Sequence, residues 1–317
     1  MSSGLNFFTN EIDKTPTTRA SWVDVDVSGD GVPAGATGVI LRLHNPDSSG
    51  KIMAVRKNGS TDTRTPSVRT ENHTGAMVGI DASRLFEAYV GATTTTSPKL
   101  MLIGYTTDST DFFTNSVDKT PASTDGVTWY DIDVSGVGEA PAGAVGVLVE
   151  WQNTSGATNT AGIRKNGSTD TFTYGNEANT NHFYQACGVD ASRIFEARLS
   201  HIGMKLWVIG YFMAPIEFET NAISYALGGT GTWTNISVTG GASPATADGA
   251  LWLIRNGATG PRSAGTRKEG STDESYGGEQ TSGVSAYFTG LDGSRVAEGK
   301  IQDLLSDHYV IGYAKPA

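Results

Sequence analysis

The sequence predicts an all-β chain of three tandem β-sandwich domains, jelly-roll-like, built from an internal repeat of about 105 residues. Three observations carry that reading. Four sequence blocks recur three times in the same order, short segments alternate apolar and polar residues with period two, and no 12-residue window shows helical periodicity.

The blocks define the repeat. Phe7-Phe8-Thr9-Asn10 returns as Phe112-Phe113-Thr114-Asn115 and as Phe218-Glu219-Thr220-Asn221. Arg56-Lys-Asn-Gly-Ser-Thr-Asp62 is identical at Arg164–Asp170 and returns as Arg267-Lys-Glu-Gly-Ser-Thr-Asp273. Gly79-Ile-Asp-Ala-Ser-Arg-Leu-Phe-Glu87 is matched from Gly188 to Glu196 and from Gly290 to Glu298, and Ile-Gly-Tyr ends each copy at Tyr105, Tyr211 and Tyr313. A unit this long can hold its own core, so the domains are placed at 1–105, 106–211 and 212–317. Only six residues separate one copy's Gly-Tyr from the next copy's Phe-x-Thr-Asn, which predicts a fixed arrangement of the three. A closed pseudo-threefold body and a linear rod both satisfy that.

The elements follow in chain order. Trp22-Val-Asp-Val-Asp-Val27 and Trp129-Tyr-Asp-Ile-Asp-Val134 read as half-buried strands. Val39–Leu43, Val147–Trp151 and Ala250–Ile254 read as strands buried on both faces. Asn58-Gly59 and Asn166-Gly167 predict type I′ hairpin turns, and Gly-x-Asp-Ala/Gly-Ser-Arg predicts a strand ending in an Asp/Ser turn. Seven or eight short strands per copy fit a β-sandwich.

Composition narrows function. The net charge is −10 with no Lys/Arg run, which argues against a nucleic-acid partner. The charge is uneven: repeat 1 is neutral, repeat 2 carries −6 and repeat 3 carries −4, so unequal surfaces should face different neighbours. The lone Cys187 excludes an internal disulfide and a cysteine-rich zinc site. No stretch approaches 18 apolar residues and no signal peptide opens the sequence, so membrane insertion and Sec export are not expected.

The candidate residues weigh toward structure. Asp24-Val-Asp26 starts like a calcium loop but lacks its twelfth-position carboxylate, and the third copy, Asn235-Ile-Ser237, has no carboxylate. No metal and no cofactor are expected. Arg56, Asp62, Arg164, Asp170, Arg267 and Asp273 are interface or structural candidates, as are Asp81, Arg84, Asp190, Arg193, Asp292 and Arg295. The arginine is expected to pair with the aspartate across its turn, or with Asp81, Asp190 and Asp292. Histidine does not recur in every copy, so no catalytic triad is assigned and the chain reads as a non-enzyme. Trp22, Trp129 and Trp233 are candidate sugar-stacking residues. Glu87, Glu196 and Glu298 are the carboxylates a jelly-roll glycoside hydrolase would use.

An acidic, leaderless chain of near-identical units rich in Gly, Thr and Ser, carrying Arg-Lys-Asn-Gly-Ser-Thr-Asp and Gly-x-Asp-Ala-Ser-Arg, resembles accessory structural proteins of tailed-phage virions. That resemblance implies a virion structural protein, made in the host cytoplasm and placed on the virion surface. It would decorate or stabilise a capsid or tail through contacts with capsid or tail proteins. The alternative is a carbohydrate-binding adhesin or receptor-binding module, with surface glycans as partners.

Overall fold

The computed structural model describes residues 4–315 except 66, 69–71, 93–97, 156, 172–173, 178–181, 241–242, 275–276 and 280–282. Repeat 1 contributes β1 (Leu5–Asp13), β2 (Trp22–Asp26), β3 (Gly38–Asn45), β4 (Lys51–Lys57), β5 (Ser67–Val68), β6 (Asn72–Gly79), β7 (Leu85–Val90) and β8 (Lys99–Thr106). Repeat 2 contributes β9 (Thr110–Asp118), β10 (Tyr130–Asp133), β11 (Gly146–Asn153), β12 (Asn159–Lys165), β13 (Tyr174–Glu177), β14 (His182–Gly188), β15 (Ile194–Leu199) and β16 (Met204–Phe212). Repeat 3 contributes β17 (Glu217–Tyr225), β18 (Thr234–Ser237), β19 (Gly249–Asn256), β20 (Arg262–Lys268), β21 (Gly277–Glu279), β22 (Val284–Gly290), β23 (Val296–Ile301) and β24 (Ser306–Ala314).

The strands form six antiparallel four-stranded sheets, two per repeat. In repeat 1 their orders are β1-β8-β3-β6 and β2-β7-β4-β5, and the other repeats use equivalent strands. No helix occurs among the described residues.

The all-β reading holds. The three tandem jelly-roll-like sandwiches are corrected: the chain is laid out as six small blades of four strands around a shared centre. The apolar clusters overturn the tandem picture, because they are not confined to single repeats. The cluster of repeat 1 takes in Tyr184 of repeat 2. That of repeat 2 takes in Leu253, Val284 and Ala286 of repeat 3. A fourth cluster at the centre joins Ile40, Met77, Phe112, Leu148, Phe212, Leu251 and Phe288 from all three.

The continuous apolar strands explain this. Along β3, Val39, Leu41 and Leu43 point into repeat 1's own cluster, while Ile40 points to the centre. Along β19, Ala250, Trp252 and Ile254 face inward, Leu251 faces the centre and Leu253 enters repeat 2's cluster. A strand with an apolar residue on both faces needs a neighbour on each side, so the repeats cannot be strung apart. Strands β7 and β15 instead alternate buried and half-buried residues, as expected of a sheet with one wet face.

One turn differs from expectation. Gly59 and Gly167 have positive φ (80° and 81°), but Asn58 and Asn166 do not, so these turns are not type I′. The chain beyond them runs away to a seam between repeats instead of folding straight back into a hairpin.

Candidate functional site

Two structures recur in all three copies: a cluster on the sheet β2-β7-β4-β5 and its equivalents, and a joint where one repeat meets the next.

The cluster is set by strand register. Arg56 lies directly across from Glu87, which lies across from Asp24 on the other side. Arg56 pairs with Glu87 through two bonds of 2.9 Å and also donates from Nη1 to the Asp62 carbonyl. Its guanidinium sits 4.2 Å from the Trp22 ring centroid. Arg164 makes the same pairs with Glu196 (2.8 and 3.1 Å) and the Asp170 carbonyl (2.8 Å), 4.3 Å from Trp129. Arg267 does so with Glu298 (2.9 and 3.3 Å), 4.3 Å from Trp233.

The arginine partner is therefore a glutamate, not the aspartates expected. Facing strands place it there through an order, β2-β7-β4, that sequence spacing does not reveal. One face of each tryptophan carries an arginine. Each of Glu87, Glu196 and Glu298 is held in a bidentate ion pair.

Asp81, Asp190 and Asp292 shape turns. Asp81 Oδ1 accepts from the Ser83 and Leu85 amides at 2.9 Å, and Asn58 Nδ2 donates to Oδ2. Burial pushes the Asp81 carboxyl up, but these bonds outweigh it and hold it below the usual range. Asp190 and Asp292 accept the equivalent amides. Arg84, Arg193 and Arg295 have φ of 64°, 65° and 61°, the left-handed region, and donate to carbonyls of the loops that follow β2, β10 and β18. Asp26 and Asp133 cap turns through the Ser28 and Ser135 amides at 2.7 Å. Among the described residues no group of three His, Cys, Asp or Glu is placed to hold a metal.

The joints are made by the Phe-x-Thr-Asn blocks and by paired glycines of the neighbouring repeat. Gly38 pairs with Gly79 across β3 and β6, and Phe112 of the next repeat packs on both. A Cβ at Gly38 would meet that ring at 2.3 Å, and one at Gly79 would meet the Phe112 Cβ at 2.6 Å. Lys57 Nζ then donates to the Phe112 carbonyl at 2.8 Å. Asn115 Oδ1 accepts from Ser60 Oγ, Thr61 N and Thr61 Oγ1 at 2.8–3.1 Å, and Asp62 Oδ2 accepts from the Ser116 amide at 2.9 Å.

The same set joins repeat 2 to repeat 3 through Phe218, Lys165, Asn221, Ser168, Thr169 and Asp170. It joins repeat 3 back to repeat 1 through Phe7, Lys268, Asn10, Ser271, Thr272 and Asp273. The body is therefore closed, with three equivalent seams: 1–2, 2–3 and 3–1. Asp62, Asp170 and Asp273 are seam residues, while Arg56, Arg164 and Arg267 hold the loop that carries them. The signal for Asn10, Asn115 and Asn221 was their constancy in every copy.

Each seam carries a small, partly open pocket, of about 30, 30 and 20 Å³, room for about one water. An open depression of about 500 Å³ beside the 2–3 seam is lined by Val145, Lys165, Asp190, Ile216, Glu217 and Glu219. Burial pushes the Glu219 carboxyl up, Lys165 opposes this and Glu217 adds to it. Cys187 is buried and free, and burial pushes its thiol far up, out of the reactive range.

No protein family matches the chain, and no curated protein matches it. Among solved structures it is similar to one described as "The Triple Jelly Roll Fold and Turret Assembly in an Archaeal Virus". The identity is 10%, the TM-score 0.24, and the match spans 99% of this chain and 90% of that one. It is also similar to one described as "Life in the extremes: atomic structure of Sulfolobus Turreted Icosahedral Virus". That match has 10% identity and a TM-score of 0.24, over 100% of this chain and 91% of that one. Both neighbours come from viruses, at a distance that does not establish a common fold.

Proposed function

We propose that this chain is a virion structural protein that decorates or stabilises a capsid or tail through protein–protein contacts. The observation that supports the reading is the closure of three equivalent seams into one pseudo-threefold body. Such a body fits a threefold or quasi-threefold position on a shell, where a homotrimer would otherwise stand. The recurring polar residues are spent on ion pairs, turns and seams within the chain, which suits a rigid building block.

The test is incubation of the purified chain with particles lacking it, followed by sedimentation and mass spectrometry of native particles. Co-sedimentation at a fixed ratio to the shell protein is the expected result. If the chain binds no particle and is found in none, the proposal is wrong.

A further inference from the structure

The 3–1 seam differs from the other two in what surrounds its shared Phe–Gly–Gly hook. Strand β20 of repeat 3 meets three cationic or cationisable side chains at three consecutive carbonyls. His73 Nε2 lies 3.0 Å from the Ala264 oxygen, His308 Nε2 lies 3.2 Å from the Gly265 oxygen, and Arg42 Nη2 donates to the Thr266 oxygen at 3.2 Å. His73 and Arg42 come from repeat 1, while His308 belongs to repeat 3 itself.

His73 is fully buried and is inserted at the end of the β20–β21 ladder. The Gly277 amide, which pairs with Ala264 in that ladder, points at His73 Nε2 from 2.8 Å. Glycine there makes the room, because a Cβ would meet the His73 amide nitrogen at 2.7 Å. Nε2 can accept from Gly277 or donate to Ala264, but not both. Nδ1 is buried and has no hydrogen-bond partner.

Among the described residues, the charged or titratable groups that face His73 are Arg42 and His44 on β3 and Tyr287 on β22. The rings of His44 and Tyr287 lie 5.9 and 5.0 Å away. Glu11 on β1 reaches the site through Arg42, bonded at 2.8 Å. On β20 and β21 the facing groups are the backbone atoms of Ala264 and Gly277.

We propose that the 3–1 seam is a proton-operated latch: protonation of His73 sets its Nε2–H against the Gly277 amide and its charge against Arg42. Repeat 1 then parts from repeat 3 while the 2–3 seam stays shut. Val284 holds the position of His73 in repeat 3 and lies in the apolar cluster of repeat 2, so the 2–3 seam has no group there to protonate, whereas His182 holds that position at the 1–2 seam. Burial first, then Arg42 and His44, hold the His73 imidazolium well below the usual histidine range, with the Ala264 carbonyl opposing. The seam is therefore shut at neutral pH and opens only on marked acidification.

The repeats themselves supply the substitutions for the test. His73→Val copies repeat 3, and His308→Leu copies Leu100 and Leu206 of the other repeats. Amide exchange, corrected for intrinsic rates, is followed by mass spectrometry on the full chain from about pH 7.5 to about pH 4. In the unsubstituted chain and in His308→Leu, protection of β6, β20 and β21 should fall about tenfold or more, while β12 at the 2–3 seam stays protected. In His73→Val the fall should be absent. Equal loss at the 3–1 and 2–3 seams of the unsubstituted chain, or no loss at the 3–1 seam, overturns the latch without recourse to a variant. So does an undiminished fall in His73→Val.

Discussion

The 1–2 and 3–1 seams share a hook and differ in their surroundings. At the 1–2 seam the Tyr184 ring fills repeat 1's cluster, and Phe112 is 4% exposed. At the 3–1 seam the place of Tyr184 is taken by Gly75. A Cβ there would come within 3.0 Å of the Ala286 carbonyl. Around it stand His73, the Arg42–Glu11 pair and a buried Thr266–Thr289 contact of 2.6 Å.

One pair of positions sharpens the contrast. Arg42, Glu150 and Leu253 are equivalent, each directly across from Gly75, Tyr184 and Ala286. Arg42 pairs with Glu11, Glu150 pairs with Arg64 at 2.6 Å, and Leu253 is apolar. Three identical seams would let any repeat dock on any other. A cation, an anion and an aliphatic side chain at one position penalise the wrong pairings, so the lesson is one of specificity more than strength.

The largest expected effect comes from the shared hook. Phe112→Ala should destabilise the chain by about 3–5 kcal/mol in denaturant melts. Phe7→Ala should cost less, because its ring is only half-buried. Equal losses would erase the distinction between the seams.

Next come the ion pairs. The Arg42 and Glu11 side chains are only 6% and 8% exposed. Glu11→Gln should therefore cost about 3 kcal/mol or more, by leaving a buried cation uncompensated. Glu150→Gln should cost less, since the cation it leaves, Arg64, is 16% exposed and also rests 4.3 Å from the Trp207 ring.

Acidification also distinguishes repeat 3, where His308 stands in place of Leu100 and Leu206. Burial pushes this imidazole down to about 4 from 6.5, opposed by its contact with Gly265. Below pH 6.5 the unfolded chain binds a proton that the folded chain refuses. Stability therefore falls as pH drops from 6.5 toward 4, by about 3 kcal/mol over that window. His308→Leu should flatten that part of the pH profile of the thermal midpoint. An unchanged slope would show that His308 is not its source.

Asn115→Ala and Asn10→Ala each remove an exposed oxygen that accepts three donors, and should cost about 0.5–1.5 kcal/mol. The smallest effect belongs to Lys99–Asp13, a pair 44% exposed on both sides. Lys99→Met should change stability by less than about 1 kcal/mol, and less still in high salt.

Much of the strand layout was legible in the sequence. Period-two runs such as Trp22–Val27 and apolar runs such as Val39–Leu43 became β2 and β3. Of the three tryptophans that lie in apolar runs and so read as core, Trp151 and Trp252 are fully buried, whereas Trp207 is only half-buried. What was not legible depends on contacts between distant segments. Arg56 meets Glu87 because β4 lies beside β7, and Phe7 meets Gly290 because the chain closes on itself. Ile-Gly-Tyr read as a strand ending, yet its glycine serves a close approach. A Cβ at Gly104 would lie 2.1 Å from the Asn6 carbonyl, where β1 crosses β8 at a register shift. The Asn-Gly pair misled because a local turn signal was overridden by a loop bound for the next repeat.

The closing seam also has a consequence in time. Asn10 bonds to Thr272, 262 positions later in the chain. A ribosome adding about 5–20 residues per second needs roughly 13–50 s to cover that distance. Throughout that interval the Phe7 ring and the polar face around Arg42 wait without the partner that covers them. The half-exposed phenylalanine and the charged pair at this seam are thus what a nascent chain can show to water for tens of seconds without sticking to its neighbours.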